Sequence, residues 1–208
     1  MSDYSDFAAA LRDHHNRDDW SDALVALFIR TAEQKFNAEL RVGRMIQSSS
    51  ALIASRCAPL PDDWLEMSLI KIENANAPTG FTPIRYKSRD EFYRTADKWS
   101  EGFYTIEGRQ IYFGGVPDAV NGQTVSLSYY GEVPVFSNDT DSWVYTKYPA
   151  LYLSAASLQA YLHAVGEEQL AAGAKTFTED MIQKLNAEWL LAKASGSRLT
   201  RTRTRRFG

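Results

Sequence analysis

One cysteine in 208 residues, Cys57, excludes an intrachain disulfide and any cysteine-rich zinc site. No run of eighteen apolar residues occurs, so no segment is read as spanning a membrane. The amino-terminal stretch, with Asp3, Asp6, Arg12 and Asp13, lacks the basic-then-apolar order of a signal peptide, and export by the general secretory route is not expected. Chemistry-bearing motifs are equally scarce. Gly114-Gly115 is the one glycine pair, without the fingerprint spacing or following helix that cradles a phosphate, and no Gly-x-Ser-x-Gly elbow appears. The three histidines, His14, His15 and His163, do not form a same-face pair for a metal and read as exposed polar residues. Asp62-Asp63 and Asp139 to Asp141 read as turn carboxylates. No catalytic residue, cofactor or metal is expected, and the chain is read as noncatalytic.

What is present is aromatic surface and an uneven charge. Five Trp, eleven Tyr and ten Phe within a 44% apolar composition supply the burial a packed core requires. The net charge of -3 conceals +6 on residues 193–208, which contain no acid, and therefore -9 on the remainder. An acidic body thus carries a basic end.

Periodicity divides the chain into three stretches. Phe7, Ala8, Ala10 and Leu11 predict a short helix to about His14. Asp19 and Ser21 are candidate caps for a longer one carrying Trp20, Leu24, Leu27, Phe28, Thr31, Ala32, Phe36 and Leu40 at spacings of three and four. Arg30, Glu33, Gln34 and Glu39 fall on its other face. From Met45 the helical period disappears. Leu60 to Glu66 suggests a turn and a short helical turn, Met67 to Ile72 a strand, and Ser88 with Glu91 a capping box. Alternation through Phe103–Ile106, Gln110–Phe113 and Thr124–Tyr130 predicts an antiparallel meander with a turn at Glu107-Gly108-Arg109.

Helical spacing returns after Ser142. Pro149, Leu151, Tyr152, Ala155, Ala156, Leu158, Gln159 and Leu162 form one stripe, capped near Gly166. Glu167 to Ala174 extends it or forms a shorter helix. A last helix carries Met181, Ile182, Leu185, Trp189 and Ala192 and stops at Ser195-Gly196-Ser197. The fold class is α+β: a helical bundle from residues 1–43 and 139–196, an inserted antiparallel β-rich domain over 44–138, and an extended basic tail over 197–208.

That tail alternates Arg with Thr at Arg201, Arg203 and Arg205, so an extended strand places the guanidinium groups on one side. Three readings stay open for it: addition to a sheet edge or acidic groove, a solubilising tail, or a nucleic-acid arm neutralising phosphates.

Three features in order bear on function. Leu60-Pro61-Asp62-Asp63-Trp64-Leu65-Glu66 follows the long amino-terminal helix. Gly102-Phe103-Tyr104 through Ile111-Tyr112-Phe113 leads to Leu127-Ser128-Tyr129-Tyr130 and Pro134. Asp139-Thr140-Asp141-Ser142-Trp143 precedes Tyr148-Pro149-Ala150-Leu151-Tyr152-Leu153 and a final helix. Together they resemble the head-to-tail adaptor (head-completion) proteins of tailed bacteriophages. The resemblance implies a structural virion connector at the head-tail junction, made in the bacterial host cytoplasm and assembled with neighbouring adaptor subunits as a ring, likened to a dodecamer. It implies contact with the portal protein and with tail or nozzle proteins, and DNA passing through the ring without sequence-specific binding. By the same resemblance Arg198, Leu199, Arg201, Arg203, Arg205, Arg206 and Phe207 are portal-binding. The alternative is a nucleic-acid-binding protein using the same tail.

Overall fold

The computed structural model describes residues 3–52, 57–73, 80–95, 102–114, 124–164 and 167–204. In chain order these form α1 (Asp3–His15), α2 (Asp22–Glu39), β1 (Ile46–Leu52), β2 (Cys57–Pro59), β3 (Trp64–Glu73), β4 (Phe81–Pro83) and β5 (Arg85–Tyr86). There follow α3 (Arg89–Thr95), β6 (Phe103–Glu107), β7 (Gln110–Gly114), β8 (Thr124–Gly131), α4 (Trp143–Lys147), α5 (Pro149–His163) and α6 (Glu168–Thr204). The helices and the strands therefore combine as an α+β protein. Two compact units result, one from Met1–Gly43 with Val133–Gly208, the other from Arg44–Glu132.

In the helical unit, α2 opens where Ser21 accepts from the Leu24 amide at 3.3 Å, satisfying one of the unpaired amides of a first turn. It buries Val25, Phe28, Ile29, Ala32, Glu33 and Phe36. The buried face is thus turned from the expected stripe: Leu27 is exposed and Glu33 is inside. Its partner is α5, where Pro149 stands in the first turn, a position without need of an amide. Tyr152 of α5 is fully buried and lies edge-on to Phe7 (5.2 Å between ring centres) and Phe136 (5.5 Å), with Phe36 tilted at 5.3 Å. Such edge-to-face pairs add about 0.5–1.5 kcal/mol each beyond area burial.

The last helix departs from expectation. Residues 168–204 form one helix, without a separate short element and without a stop at Ser195-Gly196-Ser197. Extending an existing helix requires one residue to be ordered per hydrogen bond, whereas starting one requires three, so weak formers are carried along once a packed segment has nucleated the element. The proposed cap at Gly166 lies outside the described residues.

The β unit contains, among the described residues, two four-stranded sheets in the orders β1-β8-β3-β4 and β2-β7-β6-β5. β6 and β7 form the expected hairpin, with Gly108 at φ 59°, where a side chain is strained. β8 does not continue it. It enters the other sheet between β1 and β3, antiparallel to both. The meander is thereby corrected: alternation of Val125, Leu127 and Tyr129 specifies a strand with one buried face, and is blind to which strand lies alongside. The faces meet in a core that includes Ile70, Ile72, Ile84, Ile111, Phe113, Val125 and Leu127. The segment expected to make a helical turn before Met67 is instead strand from Trp64. α3 begins directly after Ser88, as its capping pattern predicts, and buries Phe92.

Candidate functional site

Glu33 is the charged side chain most at odds with the sequence pattern. It is 5% exposed, and its Oε1 accepts both the Phe136 amide (2.6 Å) and the Tyr152 hydroxyl (2.8 Å). One turn further along α2, Asn37 Oδ1 accepts the Val133 amide at 2.8 Å. Positions four apart share a helical face, so α2 holds the stretch after β8 by two amides. Residues 133–138, read with the β domain, therefore belong to the helical unit. Burial raises the Glu33 pKa against the lowering effect of these two hydrogen bonds, and burial beside Glu33 raises that of Tyr152. The carboxylate is enclosed, and its chemistry serves the fold.

Histidines at the end of α1 are not uniformly exposed. His15 is half-buried, with Nε2 3.0 Å from Ser157 Oγ and its ring 4.6 Å from Tyr161 and 5.1 Å from Trp20. Burial first, then the neighbouring His14 and Arg17, lowers its pKa to about 4. The reading of this residue as exposed is corrected; Tyr161 on α5 and Trp20 just ahead of α2 enclose it. His14 and His163 are exposed. Next to His14 a groove of about 420 Å³ runs between α1, α5 and α6, lined by Leu153, Tyr161, Leu170, Gly173 and Phe177 among others. Among the described residues no group of three or more His, Cys, Asp or Glu is placed to hold a metal ion, and no helix is long and apolar enough to cross a membrane.

The Leu60 to Glu66 motif has a structural task. Leu60 is buried and donates its amide to the Arg109 carbonyl at 2.9 Å, while Arg109 pairs with Asp62 at 2.8 Å. Asp63 accepts the Tyr129 hydroxyl at 2.9 Å, and its carbonyl accepts the Glu132 amide. Burial, with the Asp63 carboxylate beside it, pushes the Tyr129 phenol up to about 12. Asp63 stands in a turn, as read, and its carboxylate ties the start of β3 to β8. Half-buried Cys57 lies in β2.

Of the tail positions, Arg198, Leu199, Arg201 and Arg203 fall within α6. The backbone at these positions is therefore helical and not extended. Arg205, Arg206 and Phe207 lie outside the described residues.

Titratable groups that hold the fold, and large apolar side chains left at the surface of α5 and α6, are the features of a structural, assembling protein. The family comparison agrees: the model of the SU10 adaptor protein family matches residues 2–206, and the chain belongs to that family of bacteriophage structural adaptors. A second similarity is to Hyaluronidase-1 of Mus musculus, 31% identical over 104 residues, covering 43% of this chain. The chain spans 22% of that protein's length, too little to carry an activity across.

Proposed function

We propose that this protein is a noncatalytic subunit of the ring that joins the portal to the tail in the virion neck. The observation that carries the reading is the SU10 adaptor match from residue 2 to residue 206, which takes in both units and most of the basic end. In this reading the helices of residues 1–43 and 139–196 form a bundle that packs against neighbouring subunits, in a ring likened to a dodecamer. The inserted β domain faces tail or nozzle proteins. The positions Arg198, Leu199, Arg201, Arg203, Arg205, Arg206 and Phe207 anchor to the portal, where their charge meets acidic groups. Two unlike faces per subunit are what a closed ring of identical copies requires. DNA passes through without sequence-specific contact, since a body of net charge -9 repels phosphate.

Deletion of residues 197–208 tests the anchor. Portal binding should be lost while the helical circular dichroism of the remainder persists; undiminished binding rejects the anchor role. The +6 charge of residues 193–208 also favours a nucleic-acid arm. Titrating salt against duplex DNA and against purified portal separates the readings: tight, salt-sensitive DNA binding with no portal binding selects the second.

A further inference from the structure

α6 outruns its support. It meets the end of α2 at Asn186, whose Oδ1 accepts the Arg41 amide at 2.7 Å and whose Nδ2 donates to the Glu39 carbonyl at 2.9 Å. Beyond Trp189 every residue from Leu190 to Ser195 is exposed, and the helix continues to Thr204. Leu190 and Leu191 are 64% and 68% exposed. A stretch of helix exposed at each of these six positions gains nothing from packing within its own chain.

The first half of the same helix presents the reverse shape. The groove between α1, α5 and α6 has Leu170 and Phe177 on it, 54% and 44% exposed, with Gly173 between them. A Cβ at Gly173 would meet nothing within 4 Å, so packing within one chain does not require glycine there, although glycine weakens a helix interior relative to alanine. A bare backbone on an apolar groove is explained by close approach of a second helix. Charge has the matching sense: residues 167–180 carry a net -3, and residues 193–208 carry +6. Arm and groove also belong to one continuous helix, with Gly173 and Leu191 about 27 Å apart along it. The arm cannot reach its own groove.

We infer that residues 190–195 of one copy dock into the α1–α5–α6 groove of the next copy, with Leu190 and Leu191 against Leu170, Gly173 and Phe177. Glu167, Glu168 and Asp180 draw in the basic stretch that follows, which runs on past the groove. Each copy gives an arm and receives one, so the contact is heterologous and propagates head to tail until it closes. This inference rests on the reading that copies of the chain assemble with one another, and it specifies the two surfaces.

Full-length protein in a Cys57→Ser background tests it, with Gly173→Cys and Leu191→Cys made separately, mixed and oxidised, with and without purified portal. The mixture should give a 173–191 disulfide that neither variant forms alone, and a chain carrying both should give a ladder. Gly173→Leu, which fills the groove, should melt no earlier than the parent yet assemble at least tenfold more weakly. Oligomers lacking the 173–191 link, a dominant 191–191 link, a chain that stays monomeric throughout, or normal assembly of Gly173→Leu overturns the inference. Portal binding without the link rejects arm docking and leaves the adaptor reading standing; the link without portal binding does the opposite.

Discussion

Replacing Glu33 separates the value of an acceptor from the value of a charge. In Glu33→Ala the Phe136 amide and Tyr152 hydroxyl, bonded to one carboxylate oxygen at 2.6 and 2.8 Å, lose their partner inside the core. Each buried donor left unpaired costs about 1–3 kcal/mol, so the helical unit should lose about 2–6 kcal/mol. Glu33→Gln keeps an oxygen where both donors already converge and removes a charge that burial disfavours, so its cost should stay below about 1 kcal/mol. The two effects also part with pH. Because burial raises this carboxyl above 4.5, the folded chain keeps the proton longer than the unfolded chain. The contribution is fully present below 4.5 and is lost as pH rises through the raised folded value, a loss that Glu33→Gln abolishes. Urea unfolding followed by far-UV circular dichroism at several pH values measures both. Equal damage from Gln and Ala at neutral pH would show that charge, not acceptor position, holds residues 133–136, and the reasoning fails.

His15 should titrate in the folded chain near pH 4 rather than 6.5. Its lowered value means that stability is fully present above 6.5 and drains away as pH falls toward about 4; a ring NMR titration centred at the ordinary value refutes the enclosure. Gly43→Ala places a Cβ 2.5 Å from the Trp189 ring, so the indole must move. Overpacking of this kind costs about 1–3 kcal/mol; unchanged stability and unchanged tryptophan fluorescence count against that contact.

Features decided within a few residues are legible in the sequence. Ser21 caps α2, Gly108 turns the β6–β7 hairpin at positive φ, and Pro149 enters α5 in its first turn. The adaptor resemblance was legible for a related reason, since its motifs are short and only their order matters. Glu33 was not legible: its partners lie 103 and 119 residues away, and a Glu beside Arg30 and Gln34 reads as solvated. The place of β8 was hidden because alternation encodes a face and not a neighbour.

Chain order and local stereochemistry therefore determined where helices, turns and half-buried strands begin, and where positive charge gathers. Tertiary structure alone decided which strand stands beside β8, which carboxylate goes inside, and that α6 passes through Ser195-Gly196-Ser197 to Thr204. The physical reason is reach. Caps, turn residues and periodicity act over a few residues, while burial and pairing depend on groups that meet only after the chain has folded.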